Sequence, residues 1–198
     1  MKKVVVIGAG AAGMMAAITA AQSGASVTLI EKNEKTGKKI FITGKGRCNV
    51  TNGCEHDEFF DNIVTNSKFL YSAYAAFDNR SMMELLKEAG CPLKEERGKR
   101  IFPQSDHSSD VIAALNRLLK KERVKVLFHT AVRELLLEEL PEEAQREASK
   151  DSAKQKVSGV LLVDGTTIKA DAVIVATGGQ SYEATGSTGD GYRLAMQA

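Results

Sequence analysis

The 198-residue sequence has no tryptophan, 6% aromatic residues, three cysteines, three prolines and a net charge of only +2. Each shortage excludes something. An odd and sparse cysteine set, Cys48, Cys54 and Cys91, is not the disulfide framework of a secreted domain, so the chain reads as a protein of a reducing compartment, the cytoplasm. With 27 basic against 25 acidic residues, neither nucleic acid nor an anionic membrane is the default partner, and the balance points to small-molecule chemistry. Hydrophobic residues, at 43%, are not in short supply. A folded chain of this length buries roughly 70% of the surface its extended form exposes, so fibrous, collagen-like and wholly disordered classes are excluded.

The stretch Val4 to Ile30 carries no charge and superficially resembles a signal peptide or membrane span. Gly8, Gly10 and Gly13 break it. The β-branched run before them predicts a strand over 3–7, and the alanine-rich run after them a helix from Ala11 to Ser23 stopped by Gly24. A second strand follows over Ser26 to Glu31, giving a βαβ pattern and an α/β class.

Residues 33–58 are rich in Gly, Lys, Asn and Thr with little periodicity and read as a long ordered loop. Helices are predicted around 66–77, with Phe69, Leu70, Tyr74 and Phe77 facing a core, and around 81–89, stopped by Gly90 and Pro92. A hairpin turns through Gly98 into Arg100, Ile101 and Phe102, and a helix opened by Ser109 and Asp110 runs to about Glu122. Strands are predicted over 124–129, 131–138, 157–163, 167–169 and 172–176, with an Asp164-Gly165 turn. Residues 139–156, almost all Glu, Lys, Gln, Ala and Ser, have no apolar face and read as a solvated hairpin insert within one domain of residues 1–198.

The sharpest signal is Gly8-Ala9-Gly10-Ala11-Ala12-Gly13 between strand and helix. The first glycine permits the tight turn, the second lets a pyrophosphate approach the backbone, and the third lets helix and strand pack closely, with helix N-terminal amides facing the phosphates. Glu31, 21 residues after Gly10, ends the second strand where a carboxylate accepts from both ribose hydroxyls of an adenosine. It would repel a 2′-phosphate, which disfavours NADP there. A glycine turn without a ligand explains neither the spacing nor the acidic strand end. The fingerprint does not separate NAD from FAD. A second glycine-rich, cationic loop, residues 37–52, is suited to following a cofactor past its pyrophosphate with backbone amides and Arg47, and it lacks the Walker spacing.

With that fingerprint, the run Thr43-Gly44-Lys45-Gly46-Arg47-Cys48-Asn49-Val50-Thr51-Asn52, Arg100-Ile101-Phe102-Pro103, Ala176-Thr177-Gly178-Gly179-Gln180-Ser181 and Thr185-Gly186-Ser187-Thr188-Gly189-Asp190-Gly191-Tyr192, the sequence resembles the bacterial YhiN/HI0933-like flavoproteins. These are also described as NAD(P)/FAD-dependent oxidoreductases or aminoacetone-oxidase-family FAD-binding enzymes. The resemblance spans nearly the whole chain. It implies a Rossmann-like FAD/NAD(P)-binding fold of the glutathione-reductase type with a β-meander, non-covalent FAD, and NAD(P)H as a candidate reductant. It also implies a chain about twice as long, with an inserted substrate domain and a C-terminal return to the FAD fold, so that these residues are an N-terminal portion, incomplete at the C-terminus.

Carried over by resemblance, Gly8, Gly10, Ala11, Ala12 and Gly13 hold the pyrophosphate, Glu31 the adenosine ribose, and Lys32 lies beside the adenosine. Gly44, Gly46, Arg47, Cys48 and Asn49 line the ribityl and isoalloxazine side, Val132 offers backbone contacts to adenine, and Ala176, Thr177 and Gly178 close over the cofactor. One departure is Glu183 after Tyr182, where relatives tend to have proline. The substrate candidates that the resemblance implies run from small amines to a nucleobase in RNA. The basic cluster Lys38, Lys39, Lys45 and Arg47 does not decide between them, because FAD phosphates need the same charges. An NAD-dependent dehydrogenase without flavin and a non-catalytic dinucleotide-binding remnant stay open as alternatives.

Cys48 and Cys54 lie where disulfide reductases carry a redox pair, which makes Cys48 a catalytic candidate; no other catalytic residue is assigned. Cys54, His56 and Cys91 match no zinc spacing, and no metal is expected. His107 and His129 read as surface or hydrogen-bonded residues.

Overall fold

The computed structural model describes residues 1–140 and 155–198. The chain divides into two compact units, one formed by Met1–Lys39 with Leu118–Ala198, the other by Ile40–Arg117. Of the expected insert at 139–156, residues 141–154 lie outside the described residues.

In the first unit, β1 (Lys3–Ile7) is an almost unbroken β-branched run, buried from Val5 to Ile7, as a central parallel strand requires. It pairs in parallel with β2 (Ser26–Ile30) on one side and with β10 (Ala172–Val175) on the other, and β6 (Lys125–Leu127) lies beyond β2. Helix α1 (Ala11–Gln22) connects β1 to β2 and buries one face, Gly13, Met14, Ala17 and Ile18. It closes where the Gly24 and Ala25 amides donate to the carbonyls of Ala21 and Ala20.

An antiparallel meander follows, β7 (Val132–Glu139), β8 (Gln155–Leu162) and β9 (Thr167–Lys169), with the Asp164-Gly165 turn between the last two. Its inner face supplies Val132, Val160 and Leu162 to a core shared with Val5, Ile7 and Ile30 of the parallel sheet, together with Ala170 and Leu194. At about 1.5–3 kcal/mol for each large aliphatic side chain removed from water, this core is what holds the meander to the sheet. Helix α7 (Asp190–Ala195) brings Leu194 into it.

The second unit is built on an antiparallel sheet of β3 (Thr51–Asn52), β5 (Arg100–Pro103) and β4 (Leu93–Glu96), in the order β3-β5-β4. Helix α5 (Asn79–Glu88) is capped by Asp78, whose carboxylate accepts from the Ser81 amide at 2.7 Å. Buried Asn79 ties it to the sheet edge, donating to the carbonyls of Asn52 at 2.6 Å and Cys54 at 2.9 Å and accepting from the Tyr74 hydroxyl at 2.8 Å. Helix α6 (Ser108–Lys121) buries Val111, Ala114 and Leu115 of this unit at helical spacing.

Two expectations change here. Residues 33–58 are not simply a loop: they hold a one-turn helix α2 (Lys38–Ile42), a 3-10 turn over Thr43–Gly46, strand β3 and the start of helix α3 (His56–Asp61). Elements this short have too few residues to show a period. The predicted helix at 66–77 is a 3-10 turn, Ser67–Leu70, followed by α4 (Tyr71–Ala76). Asn66 is left-handed before it and Phe77 extended after it, so Phe69 and Phe77 leave the face of buried Tyr74; Phe69 is 78% exposed.

Candidate functional site

Parallel pairing brings the carboxyl ends of β1, β2 and β10 to one edge of the sheet; the chain leaves β1 toward β2 and returns as β10 on β1's other side. Such a switch point opens a crevice above the strand ends. Three segments meet there: residues 8–13 after β1, 31–37 after β2 and 176–191 after β10.

The three fingerprint glycines are explained differently. Gly8 has φ +100°, and a Cβ on it would lie 2.6 Å from the Ala176 carbonyl oxygen. A Cβ on Gly13 would lie 1.7 Å from the Gly8 oxygen, so this glycine lets α1 pack on the turn. Gly10, the N-cap of α1, has φ −78° and ψ −171°, extended backbone open to any residue, and a Cβ there would meet nothing within 4 Å. Neither backbone nor packing asks for glycine at position 10. No side chain caps α1, and Ala11 and Ala12 are exposed at its first turn.

Glu31 is buried and fixed by the turn: Oε2 accepts from the Ala9 amide at 2.7 Å, and Oε1 from the Asn33 amide at 2.8 Å and its Nδ2 at 2.7 Å. The Gly37 amide donates to the Ala9 carbonyl at 2.8 Å, folding the 31–37 segment against the fingerprint. Lys32 is tied across the crevice edge, its Nζ 2.7 Å from both Thr188 Oγ1 and Asp190 Oδ2. Lys39 Nζ donates to the Ser181 carbonyl at 2.8 Å, and Asn33 Nδ2 reaches the Thr185 carbonyl at 3.4 Å. The 181–190 segment is thus strapped to the end of β2.

Ala176 ends the sheet ladder, its amide donating to the Ile7 carbonyl at 2.9 Å, and Gly178, at φ +75°, lies against Ser187. Tyr182 is left-handed (φ 57°, ψ 58°). A proline at 183 would push that residue to extended backbone, so the departure at Glu183 and this turn belong together. Val132 is buried at the start of β7, where its carbonyl accepts from Arg193 Nη2 at 3.1 Å.

The remaining predicted residues lie in the second unit. Gly44, Lys45, Gly46 and Cys48 are all left-handed, with φ from 57° to 85°, and the Cys48 amide closes the loop onto the Thr43 carbonyl at 3.1 Å. A Cβ on Gly44 would come within 3.0 Å of the Asn49 amide nitrogen. The Asn49 carboxamide donates to the carbonyls of Thr51 at 3.0 Å and Ile101 at 3.2 Å. The Arg47 guanidinium pairs with Glu96 and Asp106. Burial pushes the Cys48 thiol up, partly offset by a hydrogen bond with Thr43; that is the setting of an inert thiol, and Cys48, Cys54 and Cys91 are all free and buried. Among the described residues no group of His, Cys, Asp and Glu could hold a metal, and no helix is long and apolar enough to cross a membrane.

Sequence reasoning missed Asn33, Thr188 and Asp190 as parts of this edge. Their signal was present for the last two, in the Thr-Gly-Asp-Gly stretch, but nothing local says which cation it meets.

The parallel sheet, its crevice and the appended meander define a Rossmann-type α/β domain. The chain belongs to the HI0933-like family, whose Rossmann-domain model matches residues 2–198. Over 202 residues it is 36% identical to a 3-dehydro-bile acid delta(4,6)-reductase of Clostridium scindens, covering 98% of this chain and 43% of that protein. It is 31% identical to a ribosomal RNA dihydrouridine synthase of Haemophilus influenzae, covering 98% and 44%. The chain thus spans less than half the length of these relatives. Among solved structures, Sdh1 of Mycobacterium smegmatis shares the fold with a TM-score of 0.68 at 21% identity, covering 100% of this chain and 39% of that one.

Proposed function

We propose that this chain forms the FAD-binding part of a flavin-dependent oxidoreductase. The observation that carries the reading is Gly10: a glycine that the bare fold does not need, at an uncapped helix N-terminus, beside open space a Cβ would enter. A pyrophosphate against the backbone gives that glycine its reason. In this reading Gly8, Gly10, Ala11, Ala12 and Gly13 hold the pyrophosphate. Glu31 takes the adenosine ribose with the one acceptor site that its three hydrogen bonds leave, on Oε2, since a carboxylate has about four. Lys32 flanks the adenosine, Val132 supports adenine through its backbone, Ala176, Thr177 and Gly178 close over the cofactor, and Gly44, Gly46, Arg47, Cys48 and Asn49 serve the riboflavin half.

Bound FAD supplies two-electron redox chemistry, while the chain supplies position, electrostatics and exclusion of water. We take residues 1–198 as one FAD-binding domain with its charged insert at 139–156, NAD(P)H as a reductant, and a reducing cytoplasm as the compartment. The relatives' names describe a bile acid reductase and an rRNA dihydrouridine synthase, both consistent with flavin chemistry on a double bond. Because the two differ in substrate class, the substrate is proposed only as a small molecule or a nucleobase.

The test is the spectrum and mass of whatever cofactor co-purifies. A yellow protein releasing FAD supports the reading. A colourless protein that binds NAD and not FAD replaces it with an NAD-dependent dehydrogenase, and bound FAD that never turns over with any acceptor leaves a binding remnant.

A further inference from the structure

Resting on the FAD reading, we propose that Arg47 is a positioning residue that shapes the Gly44–Asn49 loop, and not a ligand to the cofactor's phosphates. Arg47 Nε donates to Asp106 Oδ1 at 2.9 Å, Nη2 bridges Asp106 and Glu96, and Nη1 reaches Glu96 Oε2 at 3.4 Å. The guanidinium carbon also lies 4.3 Å from the centroid of the Phe102 ring. Lys94 Nζ is 2.6 Å from Asp106 Oδ2 and 3.7 Å from Glu96 Oε1. Two cations and two carboxylates therefore neutralise one another. A phosphate approaching this guanidinium would meet both carboxylates, whose charge opposes it.

What the arginine contributes instead is shape. Lys45 and Cys48 are held left-handed beside it, and so is its partner Asp106 (φ 61°). Such backbone persists in residues with a Cβ only where the surroundings over-determine it. Glu96 ends β4, Phe102 lies in β5 and Asp106 follows β5, so one side chain pins the strained loop to a hairpin. The Val50 amide, donating to the Ile101 carbonyl at 2.8 Å, anchors the loop's far end to the same strand.

The experiment compares FAD and ADP affinity for the 198-residue chain and for Arg47→Ala, Arg47→Lys, Glu96→Gln and Asp106→Asn. ADP lacks the riboflavin half that the loop is proposed to serve. Expected is an about tenfold loss of FAD affinity in all four variants, the scale of a lost charge-assisted hydrogen bond, with ADP affinity unchanged. The bound flavin's absorbance fine structure should fade with it. Lysine should not rescue, because an ammonium lacks the planar fork that spans two carboxylates.

A phosphate ligand behaves differently. Arg47→Ala would weaken FAD and ADP alike, while Glu96→Gln and Asp106→Asn would free the guanidinium and tighten both. Either result overturns the proposal, as does an effect of Arg47→Ala that the two carboxylate variants do not share. If the unaltered chain binds no FAD, the FAD reading fails by itself and a second measurement decides the loop: maleimide labelling of buried Cys48, located by peptide mass spectrometry. Faster labelling in Arg47→Ala, Glu96→Gln and Asp106→Asn supports the positioning role, and unchanged rates overturn it.

Discussion

Replacing Gly10 by alanine separates what a fold needs from what a ligand needs. At φ −78° and ψ −171°, with nothing within 4 Å of an added Cβ, alanine fits the folded chain without strain. Restricting the unfolded chain contributes about 0.4–1 kcal/mol of stability. Losing glycine at a helix N-cap costs a similar amount, about 0.5–1 kcal/mol, because alanine is a poorer cap. The two nearly cancel, and for a chain of this size the melting temperature should move by no more than about 2 °C. Binding should respond quite differently. The added methyl occupies the space the backbone leaves for a pyrophosphate, and overpacking costs about 1–3 kcal/mol, a loss of roughly five- to 150-fold in FAD affinity. Gly13→Ala is the control: its Cβ would sit 1.7 Å from the Gly8 oxygen, so it should unfold the chain readily with or without cofactor. Thermal melts of the apo protein and flavin fluorescence titrations read both quantities. Gly10→Ala binding FAD as tightly as the parent would refute the reasoning, and so would a melting temperature as low as that of Gly13→Ala.

Glu31→Ala leaves the buried Ala9 amide without its 2.7 Å acceptor, so apo stability should fall by about 1–3 kcal/mol and FAD affinity by a similar free energy; unchanged flavin occupancy would sink the ribose assignment. For Asp190, partial burial pushes the carboxyl up, and hydrogen bonds from Lys32 and Thr188 outweigh this to leave it below the usual carboxylate range. A depressed folded value means stabilisation that is complete above about pH 4 and lost as pH falls through the folded value. Asp190→Asn should therefore lower the melting temperature at neutral pH, with the gap to the parent closing in acid; a gap that persists there would count against the Lys32–Asp190 pair. Exposed Lys45, at φ 58°, should gain about 1 kcal/mol on replacement by glycine, raising the melting temperature by about 2–4 °C, and a decrease would show that its side chain matters more than its backbone.

The legibility of this chain follows the range of the forces involved. Strand β1, helix α1, strand β2 and the Asp164-Gly165 turn are written in local patterns of branching, periodicity and turn chemistry, and each lies where the sequence places it to within about a residue or two. Phe69 is apolar and near a helical pattern, yet it points to solvent because Asn66 adopts a left-handed conformation and α4 begins only at Tyr71. Nothing in the identity of Lys45 or Cys48 announces positive φ. That conformation is imposed by closure of the loop onto Thr43 and by a guanidinium pinned to another hairpin.

Cations are where local reading says least about partners. Arg47 sits in a loop suited to phosphate, and Lys32 follows the acidic end of β2, where the resemblance puts it beside the adenosine. Each is instead taken by carboxylates far along the chain: Lys32 by Asp190, 158 positions away, and Arg47 by Glu96 and Asp106, 49 and 59 positions away. The lysine straps a terminal segment to the end of β2, and the arginine shapes a loop. In the FAD reading, what faces the pyrophosphate at the fingerprint is backbone: the amides and dipole of α1, aimed by a turn whose Gly8 and Gly13 are sterically required. That is why Gly10, with no side chain and open space where a Cβ would sit, says more about the ligand than either of these cations.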